Sequence, residues 1–139
     1  MNKTNISECE IIELPVISSN RKGSLTPIYN DSIPFQIQRV YYLYDVPFGS
    51  KRGGHAHKKL EQIIIAPSGS FNVELDDGSK KKVFNLNRPS VGLYVPRMLW
   101  RELTDFSGGG ICVVLASLLY DEKDYIRDYD NFIKYKNKI

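Results

Sequence analysis

The stretch "SFNVELDDGSKKKVFNL" (residues 70–86) constrains the fold of this chain more than any other. Two runs alternate apolar and polar residues around Asp77-Gly78, a dipeptide that accepts the positive backbone angles of a tight hairpin. The same strand signal recurs along the chain. "CEIIELPVI" and "SLTPIY" flank a turn at "SSNRKG", and "FQIQRVYYLYDV" (35–46) alternates and is rich in β-branched and aromatic residues. "GLYVP" and "GICVVLA" are further candidates. Turns bearing glycine or proline come roughly every ten residues, the spacing expected of an all-β sandwich or barrel.

The tail "DEKDYIRDYDNFIKYKNKI" changes character. Tyr125, Ile126, Tyr129, Phe132 and Ile133 fall near helical spacing, so a short C-terminal helix laid against the sheet is predicted. No internal repeat, low-complexity segment or linker interrupts residues 1–139, which read as a single domain.

At 139 residues and 42% hydrophobic, the chain can bury a real core. Its net charge of +3 suits a small anionic ligand and is too weak for a nucleic-acid footprint. The two cysteines, Cys9 and Cys112, are far apart and have no metal-like spacing, which points to a reducing compartment. No secretory leader and no apolar run of ~18 residues is visible, so a cytoplasmic protein without a membrane partner is expected.

Both histidines lie in "GSKRGGHAHKKLEQIII" (49–65). Residues i and i+2 of a strand share a face, so His55 and His57 are expected to point together, followed on that side by Lys59, Glu61, Ile63 and Ile65. Ala56, Leu60 and Ile64 would take the other side.

Gly49, His55-Ala56-His57, Glu61 and Gly69 resemble the first cupin motif. Gly92 and Pro96 resemble the second, with Met98 where a glycine is usual and Arg101 where a third metal-binding histidine would stand. Cupin metal centres use imidazole and carboxylate ligands. A guanidinium stays protonated, offers no lone pair and repels a divalent cation. A site of His55, His57 and Glu61 alone remains formally open, but the reading adopted is no metal, with the imidazoles free for acid–base work.

The closer resemblance is to the nucleotide-sugar 3,4-ketoisomerases. It rests on "RVYYLYDVPFGSKRGGHAHKKLEQ", "DDG", "VGLYVP", "VVLAS" and "YDEKDYIRDYDNF", and runs from about Lys22 to Tyr135. The family implies a metal-free cupin jelly roll, a homodimer with exchanged N-terminal strands, and an active-site histidine acting as base. Its reaction converts dTDP-4-keto-6-deoxyglucose to the 3-keto isomer on the way to 3-amino-3,6-dideoxy sugars.

The residues suit that chemistry. The C3 proton lies α to the C4 ketone, so its removal gives an enediolate spread over C3 and C4. Histidine, with an ordinary pKa near 6.5, both takes and gives a proton at neutral pH. No redox cofactor is needed, because the substrate's ketone is the electron sink. His55 is assigned the primary base and His57 a contributing role. Arg101 and Lys22 are the candidates for stabilising the enediolate oxygen. Tyr41 shares a strand face with Arg39 and could bond a histidine or a sugar hydroxyl, though which of Tyr41, Tyr42 and Tyr44 turns inward depends on register. Arg52 and Arg39 are assigned to the pyrophosphate, whose oxygens match arginine's forked donors. Lys58 follows, although its parity turns it from the cavity.

Family members giving the gluco-configured product carry arginine after the tryptophan, as in Trp100-Arg101, and this favours that product here; Lys22 matches neither product's pattern. The alternatives are a 3,5-epimerase on the same nucleotide sugar, a metal-dependent cupin dioxygenase, and a non-catalytic sugar-binding cupin.

Overall fold

The protein is described by a computed structural model over residues 4–138. Among the described residues, twelve strands form two five-stranded antiparallel sheets and a separate small hairpin, with one α-helix packed beside them. The strands are β1 (Glu10–Glu13), β2 (Ile17–Ser19), β3 (Gly23–Leu25), β4 (Arg39–Leu43), β5 (Arg52–His57) and β6 (Gln62–Ser68). β7 (Phe71–Asp76), β8 (Lys81–Leu86), β9 (Val91–Val95), β10 (Trp100–Thr104), β11 (Ile111–Ala116) and β12 (Tyr125–Ile126) follow, and α1 covers Tyr129–Lys138. One sheet runs β1-β9-β6-β11-β4 and the other β12-β5-β10-β7-β8, the two walls of a jelly roll.

The predicted hairpin at Asp77-Gly78 is β7–β8, paired from Phe71 with Leu86 to Asp76 with Lys81. The central core lies between the sheets and includes Ile64, Phe71, Val73, Leu75, Leu93, Leu103 and Val114. The first sheet is covered on its outer face too: Ile63, Ile65 and Leu115 pack beneath Leu14, Ile28, Ile33 and Phe35 of the N-terminal arm. Burial on both faces explains why "QIIIA" reads as a continuous apolar run rather than an alternation. On the outer face of the second sheet, Ala56, Met98 and Ile126 receive Phe132 of α1.

Three sequence expectations change. "SLTPIY" contributes only β3, which pairs with β2 alone. The tail is not helical from Tyr125: Tyr125 and Ile126 form β12 against His57 and Ala56, and the helix starts at Tyr129. Ile126 and Phe132 mimic helical spacing because a strand residue and a helix residue bury against one patch.

The third change concerns the strand after the histidines. The chain bends at Lys58–Lys59 before β6 begins, so the side-chain phase slips. Ile63 and Ile65 therefore face outward, while Gln62 and Ile64 turn to the cavity between the sheets. Glu61 leaves the histidine face altogether and accepts a hydrogen bond from the Tyr94 hydroxyl. Met98, where a glycine was usual, keeps the backbone a glycine would favour (φ 60°) and anchors it with its N–H on the His57 carbonyl at 2.8 Å.

Candidate active site

A cavity of about 520 Å³ opens between β4, β5 and β10. A bulge shapes one wall. Arg101 pairs with His55 but Glu102 pairs with Gly53, so Gly54 is extra. Gly53 sits at φ 90° and a Cβ there would lie 2.9 Å from the Arg101 carbonyl oxygen, a combination that only glycine tolerates.

Cross-strand pairing then places His55 and Arg101 side by side on the inner face, with Trp100 and Ala56 outside. Arg101 is buried; it donates to Gln62 Oε1 at 2.5 Å and to the Leu99 carbonyl at 3.0 Å. Gln62 in turn donates to the Tyr41 hydroxyl at 3.1 Å. Because Gln62 spends its oxygen on Arg101 and its amide on Tyr41, the phenol proton of Tyr41 is left to point at a ligand. Register settles the tyrosines: Tyr41 lines the cavity, whereas Tyr42 and Tyr44 are exposed.

His55 and His57 stand 4.9 Å apart, ring centre to ring centre, in a T-shaped arrangement. His55 lines the cavity; His57 lies behind it, fully buried, with Nδ1 3.1 Å from Asp124 Oδ2. The Tyr125 ring touches both, at 4.9 Å from His55 and 4.4 Å from His57. Burial first, and the Arg101 charge second, push the His55 pKa down to about 3; the Gly53 backbone pulls the other way without a hydrogen bond of ordinary geometry. The same two causes hold His57 still further below the ordinary histidine range. Both imidazoles are neutral at physiological pH. Burial also brings Arg101 down to about 10, still a cation.

Among the described residues, the buried side-chain nitrogens and oxygens without a partner belong to Arg39, His55, His57 and Arg101. They are Nε and Nη2 of Arg39, both nitrogens of His55, Nε2 of His57 and Nε of Arg101. Three of these residues line the cavity and the fourth stands immediately behind. Bare buried polar groups are costly, and a cluster of them marks where a polar ligand completes the structure.

Five cationic side chains line the same space: Arg39, Lys51, Arg52, Arg101 and Arg127. Arg39 lies 5.1 Å from the centre of the Tyr41 ring, so the pair inferred from strand parity is real. No carboxylate lines the cavity itself; Glu122, just outside it, pairs with Arg127 at 2.6 and 2.9 Å, and the remaining excess of cations makes this an anion site. A divalent metal does not fit it. Glu61 is engaged with Tyr94, a guanidinium borders the imidazoles, and no three His, Cys, Asp or Glu side chains among the described residues gather as a ligand set.

The structure thus brings His55, Tyr41, Arg39, Arg52 and Arg101 to one cavity, with His57 behind them. It does not bring Lys58 there: its ammonium lies over the Tyr135 ring, 5.4 Å from the centre, on the outer side held by α1. Nor does it bring Lys22, which sits in the exposed turn between β2 and β3, a hairpin paired only with itself. Sequence reasoning missed Gln62, Lys51, Tyr120, Asp124, Tyr125 and Arg127. A signal existed for two of them: in Tyr125-Ile126-Arg127 the outer residues line the cavity while Ile126 packs outward, a period of two inside a stretch taken for helix.

The family model described as "FdtA: WxcM-like, C-terminal" matches residues 7–137. The chain is 50% identical over 133 residues, 95% of either protein, to a TDP-4-oxo-6-deoxy-alpha-D-glucose-3,4-oxoisomerase of Aneurinibacillus thermoaerophilus. A histidine-to-asparagine mutant of QdtA, a 3,4-ketoisomerase from Thermoanaerobacterium thermosaccharolyticum solved with TDP-4-keto-6-deoxyglucose, superposes with a TM-score of 0.92 at 42% identity, over 96% of this chain and 97% of that one. The TDP-quinovose 3,4-ketoisomerase WlaRB of Campylobacter jejuni gives 0.87 at 46% identity, over 93% and 99%.

Proposed function

The chain belongs to the FdtA, WxcM-like family, and on that premise we propose that it is a sugar 3,4-ketoisomerase. It converts dTDP-4-keto-6-deoxy-D-glucose to the dTDP-3-keto-6-deoxy isomer through a histidine-catalysed enediolate, for 3-amino-3,6-dideoxy sugar biosynthesis. The observation that carries this is the convergence of bare nitrogens from His55, His57, Arg39 and Arg101 on one cationic cavity.

His55, neutral and at the cavity wall, takes the C3 proton and returns one to C4. Burial and, after it, the Arg101 guanidinium hold its pKa down; the negative charge of the bound diphosphate offsets the second of these and makes proton uptake by the imidazole easier. Arg101 and the Tyr41 hydroxyl stabilise the enediolate oxygens. Arg52 and Arg39, supported by Lys51 and Arg127, hold the diphosphate. The arginine after Trp100 and the likeness to a TDP-quinovose enzyme favour the gluco product.

The working form is a cytoplasmic homodimer. Val16, Ile17, Leu25 and Tyr29 expose apolar surface on the N-terminal arm, and Val40 and Tyr42 do so on β4, an unpaired sheet edge. A second copy covering these surfaces would account for them. It would also carry Lys22 toward a partner's cavity. Both cysteines are free, as a reducing compartment requires, and no helix among the described residues is long and apolar enough to cross a membrane.

Incubation with dTDP-4-keto-6-deoxyglucose in heavy water, followed by NMR, tests the reading. Expected are a carbonyl at C3 and an equatorial C4 hydroxyl in the product, with solvent deuterium confined to C4 of that product and to C3 of recovered substrate. Deuterium entering C5, or no 3-keto sugar formed, overturns it.

A further inference from the structure

Asp124 makes three hydrogen bonds through its side chain, and they divide between architecture and chemistry. Its Oδ1 accepts the backbone N–H of Lys59 at 2.8 Å and its Oδ2 that of Leu60 at 3.3 Å, bonds that hold the bend between β5 and β6. Oδ2 also lies 3.1 Å from His57 Nδ1. The bend does not need that third contact. His57 is completely buried, and its other ring nitrogen, Nε2, has no partner. The ring is wedged between two cavity walls, Tyr125 at 4.4 Å and His55 at 4.9 Å. A buried imidazole normally satisfies both nitrogens. Here a carboxylate takes one, and the other is left bare beside a site whose remaining polar atoms also await a ligand.

We propose that Asp124 is a positioning residue for the reaction: by accepting the Nδ1–H of His57 it fixes the neutral tautomer whose bare Nε2 receives a proton from a sugar hydroxyl. The role rests on the ketoisomerase reading. As the carbonyl moves to C3, the O3–H bond breaks and its proton passes to Nε2. The same proton then leaves for O4 as the C4 carbonyl becomes a carbinol. His55 handles the carbon-bound proton and His57 the oxygen-bound one. Held by the carboxylate, the ring keeps Nε2 as a bare lone pair, the group through which it would accept the hydroxyl proton.

Asp124→Asn keeps the shorter of the two structural bonds and inverts the chemical one. The amide oxygen still accepts from Lys59, while the amide nitrogen, in the place of Oδ2, gives up the 3.3 Å bond from Leu60, faces Nδ1 and forces the proton to Nε2. The chain holds only two histidines, so 15N NMR of labelled protein, assigned with His55→Asn, reads the tautomer directly. Expected are Nδ1–H in the wild type and Nε2–H in the variant. With them, kcat should fall on the order of 10²–10⁴-fold, the range for a lost orienting partner or a wrong tautomer. KM and TDP affinity should stay within about threefold. An unchanged kcat with the tautomer inverted overturns the proposal, as does a parallel loss of kcat, TDP affinity and Tm. A wild type carrying Nε2–H also overturns it and needs no variant to fold. A wild type that makes no 3-keto sugar sinks the isomerase reading instead and leaves the tautomer result standing.

Discussion

Two polar corners of this fold bury similar chemistry in opposite states. At the β7–β8 turn, Asp77 Oδ1 accepts the N–H groups of Ser79 and Lys80 and Oδ2 that of Ile6, each at 2.8 Å. Asp76 beside it accepts from Gly78 at 2.7 Å and from the Tyr129 hydroxyl at 2.7 Å. Every carboxylate oxygen there has a donor. In and immediately behind the cavity, buried nitrogens of four residues have none. Each such group costs about 1–3 kcal/mol, so the cavity weakens the fold where the turn strengthens it. The difference marks one corner as architecture and the other as a site that a ligand completes.

His55→Asn tests that division most sharply. Turnover should fall on the order of 10³-fold or more, because the group that moves the carbon-bound proton is gone, while TDP binding persists and Tm holds or rises. The pH dependence of stability should change as well. The folded pKa of about 3 lies below the ordinary 6.5, so between those values the unfolded chain binds more protons and stability declines as pH falls. Denaturant melts of the variant should show a shallower decline over that window. A variant that turns over at wild-type rate would mean that the bare nitrogens are not there for catalysis.

Much of the cavity was legible before any coordinates. Period-two parity correctly paired His55 with His57 and Arg39 with Tyr41, because β5 and β4 are regular where those residues sit. Parity failed one bend later. Lys58–Leu60 is held by Asp124, more than sixty residues away, and a phase slip fixed by so distant a carboxylate leaves no local trace. Gln62 was lost in an apolar run because both faces of its sheet are buried. Lys22 lies away from the chain's own cavity, on the β2–β3 hairpin, because resemblance carries identity along the chain but not position within one subunit.

A middle-sized effect separates binding from chemistry within the cavity. Arg52 lines it on the bulged strand, opposite Leu103 and on the far side of the bulge from the imidazoles. Arg52→Ala should weaken TDP binding about tenfold, the loss of one charge-assisted contact, with kcat at saturation little altered. Calorimetry with TDP alongside steady-state rates reads the two separately. A fall in kcat with TDP affinity intact would move Arg52 from the diphosphate to the reacting carbons.

The smallest expected effect on activity comes from the satisfied corner. Burial acts to raise the Asp77 pKa, but the backbone N–H donors of Lys80, Ile6 and Ser79 outweigh it and leave the carboxyl below its ordinary value. A folded pKa below the unfolded one gives stability that is fully present above about pH 4 and is lost as pH falls through the folded value. Asp77→Ala should therefore destabilise the protein by about 2 kcal/mol at neutral pH, seen as a Tm lowered by several degrees, and should blunt the acid-induced loss that the wild type shows. Its kcat and KM should match the wild type, since the turn and the cavity share no lining residue. A large loss of kcat in a folded Asp77→Ala protein would break the contrast, because a corner with every oxygen satisfied would then be coupled to the one left open.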